Sequence, residues 1–242
     1  MGLNPSLITI TILGLTVWSI YTFDHLLDSR KGDLKISTER HLFHLKYQRQ
    51  LSKFILVVLL LIGGLIFLLP TKTLVLGTAL GLIVLAYFLS MYLINWKSII
   101  HKELTIAIVY TLGVMVGPLS VFNGVFEAYL MLIIATFFVI VLLNLLIFSI
   151  FDSDADSTAN FPSLIQRVGD KWSKILIVIL SALAVLMLTS IYSLGFRKES
   201  GLLLGMLLIL QVIYWFKTNG FIKENYRYLG DGVFILPILY LL

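Results

Sequence analysis

Long, almost wholly apolar runs separated by short polar segments make up most of this chain. A run of about 18 or more apolar residues is long enough to cross the hydrocarbon core of a bilayer as a helix. Eight runs meet or approach that length: 6–23, 54–70, 74–95, 104–122, 128–150, 174–194, 201–216 and 230–242. The second, seventh and eighth are short, so we expect them to be tilted or interrupted. Pro237 is expected to kink the last one.

The composition agrees with this pattern and sets the class of protein. Of the 242 residues, 59% are hydrophobic and 13% are charged, whereas soluble domains carry about 25% charged residues. The absence of cysteine excludes disulfides, thiolate metal sites and cysteine nucleophiles. We therefore predict an all-α, polytopic membrane helical bundle of about eight transmembrane helices, with residues 1–242 forming a single transmembrane domain.

The net charge of +5 is explained by orientation in a membrane and needs no nucleic-acid partner. With the N-terminus outside, fifteen of the eighteen Lys and Arg residues lie in loops that face the cytoplasm, namely 24–53, 96–103, 151–173 with the adjoining Lys174, and 217–229. Positive residues concentrate in such loops, where anionic lipid headgroups are their nearest partners. We expect an integral membrane protein of the bacterial inner-membrane type, with both termini outside and residues 24–53 folded as a lid over the cytoplasmic face.

Five of the eight aspartates fall into two groups at predicted cytoplasmic helix ends. Asp24 and Asp28 are four residues apart, as are Asp152 and Asp156, so on a continuous helix each pair shares one face while Asp154 points away. Unpaired carboxylates at the membrane are costly and repel one another, and Mg²⁺, which prefers oxygen ligands, removes both costs. A single D-x-x-x-D pair is most often only a solvated turn, and the spacing alone leaves that interpretation open.

The second group is part of a longer motif. Asp152 to Gly169 reads "DSDADSTANFPSLIQRVG", which resembles the second motif of the UbiA superfamily of intramembrane prenyltransferases, D-x-x-x-D-x-x-x-[DG] followed by a segment like S-T-L-A-x-R-x-G. The first group, "IYTFDHLLD", resembles the family's N-x-x-x-D-x-x-x-D motif, with Ile20 in place of the asparagine. The segment "KELTIAIVYTLGVMVGPL" resembles the K-R-x-T segment and glycine-rich helix that lie between the two motifs.

The resemblance implies a fold, a reaction and a set of site residues. Family members usually have nine helices, and the eight runs with the N-terminus outside correspond to that plan without its first helix. The implied reaction is Mg²⁺-dependent transfer of an isoprenoid chain from a diphosphate to a lipophilic acceptor. The resemblance assigns one ion to Asp24 and Asp28 and a second to Asp152 and Asp156, all four converging on one cavity. The candidates for diphosphate binding are Lys102 and Arg167, and Asn160 is a possible additional metal ligand.

Two other functions remain open on this sequence. A terpene cyclase of the same superfamily would use the same metal ligands and quench the allylic cation within its own substrate. A non-catalytic member that binds isoprenoid lipid or cations is favoured by Ile20, because a branched alkyl group cannot coordinate a metal, and by the missing helix.

Aromatic residues in the predicted helices have two interpretations. They can shield an allylic cation, or they can simply pack and contact lipid; the residues concerned are Tyr87, Tyr92, Phe137 and Phe138. We interpret Tyr226, Arg227 and Tyr228 as an interfacial belt that anchors the chain at the membrane surface.

Overall fold

The structure is a computed structural model that describes residues 6–29, 39–93, 102–124, 126–158, 168–222 and 225–240. Within these ranges all regular secondary structure is helical, which confirms the predicted all-α class. The α-helices are α1 (Leu7–Ser29), α2 (Glu39–Lys46), α3 (Gln48–Leu65), α4 (Thr71–Leu93), α5 (Lys102–Val121), α6 (Ala128–Thr158), α7 (Asp170–Ser193), α8 (Arg197–Thr218) and α9 (Tyr226–Gly232). Two 3-10 helices, Ile66–Leu68 and Val233–Tyr240, follow α3 and α9.

Seven of the described helices, α1 and α3 to α8, are long and apolar enough to cross a membrane. They match the first seven apolar runs of the sequence and confirm a polytopic membrane protein. Many of their large apolar side chains are exposed, including Phe54, Leu60, Val178 and Leu186. Outward-facing apolar side chains are what a helix surface in contact with lipid requires.

The eighth apolar run differs from the others in its described part. It begins within the short helix α9 and continues as the 3-10 helix Val233–Tyr240, so it does not form a long α-helix there. Pro237 lies inside this 3-10 segment. A proline has no N–H to donate and its ring clashes with the preceding turn, so a regular α-helix cannot continue undisturbed through this residue.

The turns after α7 and α8 are closed in the same way by glycine. Gly195 and Gly220 have φ values of +94° and +77°, a region that residues with a Cβ rarely adopt. After α7 the amide of Phe196 donates to the carbonyl of Ile191 at 3.2 Å, and the amide of Gly195 donates to the carbonyl of Tyr192 at 3.0 Å. This is the Schellman pattern of helix termination, and it makes α7 and α8 a tight hairpin.

The Cα positions form two compact units, which are described separately. Unit 1 contains Met1–Ile99, Leu112–Gly124 and Asp154–Phe161, and unit 2 contains Ile100–Thr111, Val125–Ser153 and Pro162–Leu242. The boundary therefore passes through α5 and through α6, where it divides the second aspartate motif.

Unit 1 is built around α1. The ring of Trp18 on α1 contacts that of Phe54 on α3 with centroids 5.5 Å apart. The ring of Phe23, further along α1, contacts Phe88 on α4 with centroids 5.4 Å apart. Both pairs have edge-to-face geometry, which aromatic rings prefer because their faces are negative and their edges positive.

The region predicted as a lid, residues 24–53, is partly regular helix. The helix α1 continues to Ser29 and α3 begins at Gln48, with α2 between them. The buried His44 on α2 contacts the buried His25 on α1, with ring centroids 5.1 Å apart, so α2 is attached to the end of α1 that carries Asp24. The placement of this region over a cytoplasmic face stays a prediction.

Unit 2 is built around α6. Half of its span Ala128–Asp152 is buried, compared with 33% or less for the other six spans. On the neighbouring hairpin, Gln211 of α8 donates to the hydroxyl of Ser181 on α7 at 2.9 Å, and the hydroxyl of Ser200 donates to the carbonyl of Leu188 at 3.0 Å. Such polar contacts hold membrane helices together because lipid offers no alternative hydrogen-bond partner.

The last described part of the chain, Tyr226–Tyr240, is here called the C-terminal segment, and it lies along α6. A Cβ placed on Gly230 would lie 2.6 Å from Asn144 Oδ1 and equally close to the ring of Phe148. Further along, Phe234 contacts Phe137 with ring centroids 5.9 Å apart. As its residue numbers rise, those of its partners on α6 fall, so the segment runs antiparallel to α6.

Candidate functional site

Both aspartate pairs lie on continuous helix. The helix α1 passes through Asp24 and Asp28, and α6 passes through Asp152 and Asp156 before ending at Thr158. No proline or glycine interrupts either stretch, which explains why the helices continue beyond their apolar spans. Each pair is therefore separated by about one helical turn, as the four-residue spacing predicts.

Asp152 is a buried carboxylate with two partners on the C-terminal segment. Its side chain is 10% exposed. The hydroxyl of Tyr226 donates a hydrogen bond to Oδ1, and the guanidinium of Arg227 forms an ion pair with Oδ2. A buried carboxylate is strongly unfavourable unless it is paired and hydrogen-bonded. The two adjacent residues at the start of α9 supply both requirements.

Aromatic rings surround this pair and hold a second cation beside it. The guanidinium of Arg227 lies 5.3 Å from the ring centroid of Phe148. The ammonium of Lys217, at the end of α8, lies 4.7 Å from the ring centroid of Tyr226 and 5.8 Å from that of Phe151. Together with Asp152, these residues form what we call the Asp152 cluster. Cation–π contacts position a positive charge without neutralising it as a carboxylate does.

A second polar contact joins the start of α5 to the end of α6. Ser149, one helical turn before the second motif, donates from its hydroxyl to Glu103 Oε1 at 2.9 Å. Both side chains are buried. Glu103 lies in the first turn of α5, where the helix dipole favours a negative charge. The contact fixes the position of α5 beside the end of α6.

The structure describes the remaining predicted site residues to different degrees. Asp24 is half-buried on α1, whereas for Asp28, Asp156 and Lys102 only the helical backbone is described. The other two predicted residues, Asn160 and Arg167, lie outside the described residues. Asp24 and Asp152 belong to different units, so convergence of the two motifs on one cavity stays a prediction.

Sequence reasoning missed the partners of Asp152. The interpretation of residues 226–228 as an interfacial belt stays a prediction; it fits Tyr228, which is 81% exposed, but it did not include the contacts of Tyr226 and Arg227 with Asp152. These two residues bind the Asp152 carboxylate. They lie far from Asp152 in the sequence, and the fold brings them into contact with it. One indication of such partners was available. A buried Asp152 carboxylate is strongly unfavourable unless it is paired, so a cation elsewhere in the chain was to be expected beside it.

The oxygen ligands of the site suit magnesium in their chemistry. Carboxylates on helix ends are the ligands that Mg²⁺ takes from proteins, usually one or two for each ion. Among the side chains that the structure describes, no three or more His, Asp or Glu side chains are grouped closely enough to hold a metal. Both carboxylate oxygens of the predicted ligand Asp152 have a partner: Oδ1 accepts from the Tyr226 hydroxyl and Oδ2 pairs with the Arg227 guanidinium.

Comparison with known families decides the class of this membrane protein. A model of the UbiA prenyltransferase family matches residues 2–227, nearly the whole chain. The chain belongs to that family. No curated protein and no solved structure matches it.

Membership in the UbiA family confirms the resemblance seen in the sequence motifs. Its members are intramembrane prenyltransferases, which agrees with seven apolar helices of spanning length among the described residues. The match includes both aspartate motifs and ends at Arg227, the ion-pair partner of Asp152. All residues of the Asp152 cluster therefore lie inside the family match.

Proposed function

We propose that this UbiA-family protein is an Mg²⁺-dependent prenyltransferase that moves an isoprenoid chain from a diphosphate donor to a lipophilic acceptor within the membrane. In this reaction the bond between the allylic carbon and the diphosphate oxygen breaks and inorganic pyrophosphate leaves. The acceptor forms a bond to the allylic carbon and loses a proton. The observation that carries the proposal is the family match together with Asp152, a buried carboxylate on α6 beside two cations.

Asp24 and Asp28 would hold one Mg²⁺, and Asp152 and Asp156 would hold the other. The bound ions supply charge neutralisation for the departing diphosphate. The continuous helices α1 and α6 support this assignment, because the backbone positions of the two aspartates on each helix are about one turn apart. Asn160 is proposed as an additional oxygen ligand.

Lys102 and Arg167 are proposed to bind the diphosphate through charge-assisted hydrogen bonds. The isoprenoid chain would lie against aromatic side chains within the membrane. Phe137 is a candidate for this contact, since its ring lies 6.4 Å from that of Tyr110 and 5.9 Å from that of Phe234. The rings of these three residues would shield a reactive cation from water.

The proposed location is a membrane of the bacterial inner-membrane type, with both termini outside and the aspartate motifs on the cytoplasmic side. The distribution of Lys and Arg supports this orientation. Because the chain has no cysteine, a single cysteine placed at the exposed Tyr228 reports its side directly. Labelling of intact cells by a membrane-impermeant maleimide at this position would contradict the orientation.

The test is an assay of the purified protein in lipid nanodiscs. Labelled isoprenyl diphosphates of several chain lengths are supplied with Mg²⁺ and lipophilic phenolic or quinone-type acceptors, and both pyrophosphate and prenylated acceptor are measured. Asp152→Asn should abolish both signals, whereas Asp154→Asn, the same change on the same helix, should retain most activity. Because Asp152→Asn also breaks the pair with Arg227, Asp24→Asn is measured beside it as a second loss-of-ligand variant.

The products also distinguish the alternatives. Pyrophosphate release without acceptor prenylation, accompanied by a cyclic hydrocarbon, would identify a cyclase. Binding of the donor without pyrophosphate release would identify a non-catalytic isoprenoid-binding protein. That outcome is favoured by Ile20, which lies one turn before Asp24 on α1 and offers no metal ligand.

A further inference from the structure

The Asp152 cluster contains a conflict that the metal assignment does not explain. Asp152 is proposed as a magnesium ligand, yet Arg227 holds one of its oxygens and Tyr226 the other. A divalent ion and a guanidinium repel each other strongly when they share one carboxylate. The ion pair seen here therefore competes directly with metal binding.

We propose that Arg227 exchanges partners when the site is loaded: it holds Asp152 in the metal-free protein and binds the donor's diphosphate once Mg²⁺ has taken Asp152. This inference rests on the proposed function and extends it to the C-terminal segment. It makes Arg227 a diphosphate-binding residue and makes the Asp152–Arg227 pair the resting state of the site.

The geometry of the pair supports such an exchange. The Arg227 side chain is 30% exposed, whereas that of Asp152 is 10% exposed, so the cation lies on the more accessible side of the pair. A molecule approaching from that side meets the guanidinium before the carboxylate. A guanidinium is also the side chain best suited to phosphate, because its parallel N–H groups bind two oxygens at once.

The surroundings of Arg227 support the loaded state as well. The ring of Phe148 lies 5.3 Å from the guanidinium, and such a contact can persist when the anionic partner changes. Lys217 lies against the ring of Tyr226 at 4.7 Å and adds a second positive charge to the same cluster. The hydroxyl of Tyr226 continues to orient Asp152, as supporting groups around metal ligands commonly do.

The exchange predicts effects of opposite sign from one substitution. In Arg227→Gln, Mn²⁺ binding without diphosphate should become about tenfold tighter, because a competing charge is removed from Asp152. Pyrophosphate binding at saturating Mg²⁺ should become about tenfold weaker, because a bidentate phosphate contact is lost. Mn²⁺ is followed by electron paramagnetic resonance and pyrophosphate by calorimetry, so neither readout depends on turnover.

Two further variants separate partner exchange from loss of structure. Arg197→Gln removes the same side chain from the first residue of α8, where it lies over the ring of Tyr192, and should change neither affinity. Arg227→Lys keeps the charge but not the bidentate geometry, so Mn²⁺ affinity should stay near wild type while pyrophosphate binding weakens. A general loss of structure would instead weaken both ligands in either Arg227 variant.

The inference is overturned if Arg227→Gln weakens Mn²⁺ binding, or if it leaves pyrophosphate affinity unchanged. Its failure is distinguishable from failure of the proposed function. If the wild-type protein transfers prenyl groups and Arg227→Gln changes neither affinity, the proposed function is supported and the partner exchange is contradicted. Opposite-sign effects of Arg227→Gln on the two affinities, together with a wild-type protein that transfers no prenyl group, would support the exchange and contradict the proposed function.

Discussion

The close approach of Gly230 to α6 makes Gly230→Ala a quantitative test of the C-terminal segment. A Cβ at this position would lie 2.6 Å from Asn144 Oδ1 and 2.6 Å from two ring carbons of Phe148. Ordinary contact begins at 3.4 Å, so the Asn144 amide and the Phe148 ring, or the backbone that carries Gly230, must move by about 0.8 Å. Both neighbours are buried, which leaves the ring and the amide little room to rotate away. Forcing an extra methyl group into a packed interior costs about 1–3 kcal/mol.

Gly232→Ala is the matched control. It is the same substitution on the same helix, and a Cβ there meets nothing within 4 Å. Because alanine favours helix over glycine by about 1 kcal/mol in both variants, the difference between them isolates the steric cost. Each 1 kcal/mol shifts the midpoint of thermal unfolding by about 2–4 °C for a chain of this size, so Gly230→Ala should melt about 2–12 °C below Gly232→Ala.

The assay follows tryptophan fluorescence during heating in detergent, since the chain has four tryptophans. The substitution Phe148→Leu should relieve the clash, so the double variant with Gly230→Ala should lose less stability than the two single changes together. Equal midpoints for Gly230→Ala and Gly232→Ala, or strictly additive effects with Phe148→Leu, would refute the packing described for this segment.

Three further predictions concern the aspartate motifs and the contact beside them. Ile20→Asn should tighten Mg²⁺-dependent binding of an isoprenyl diphosphate by about 10–100-fold, because it restores a neutral oxygen ligand; unchanged affinity in a ligand titration would count against the metal assignment. Ser149→Ala should lower the free energy of unfolding by about 1–3 kcal/mol, because Glu103 loses a buried donor; a loss of the same size in a Glu103→Leu background, where position 103 has no acceptor, would show that the contact is not the cause. Cysteines replacing Asp24 and Asp152 should be joined by a bifunctional reagent about 10 Å long, a reach that two ions and one diphosphate span. If both cysteines react with a monofunctional maleimide but a reagent about twice that length does not join them, a shared metal site is excluded.

The spanning helices could be predicted because hydropathy is a local property of sequence. The first seven apolar runs became helices. The helices α1 and α6 also continue through their aspartates, since no glycine or proline lies in the stretches 24–28 and 152–156. The run 230–242 was harder to predict. It is apolar enough for a span, but Pro237 and the approach of Gly230 to α6 give its described part a different form.

The contacts of Tyr226 and Arg227 with Asp152 could not be predicted from the sequence. Nothing in the residues around Tyr226 and Arg227 distinguishes them from Tyr228, an exposed neighbour that fits the interfacial interpretation. Their role arises from α9 lying antiparallel on α6, which places the start of one helix beside the end of the other. That arrangement depends on contacts between residues far apart in sequence, and no local pattern encodes it.

The ion pair of Asp152 also has a consequence for the order of events during synthesis. The hydroxyl that holds Asp152 belongs to a residue made 74 positions later. Ribosomes add about 5–20 residues per second, so about 4–15 s pass between translation of the carboxylate and translation of its partners. Throughout that interval α6 carries an acidic group without its eventual counter-ion. The Asp152–Arg227 contact can therefore form only after α9 has been translated.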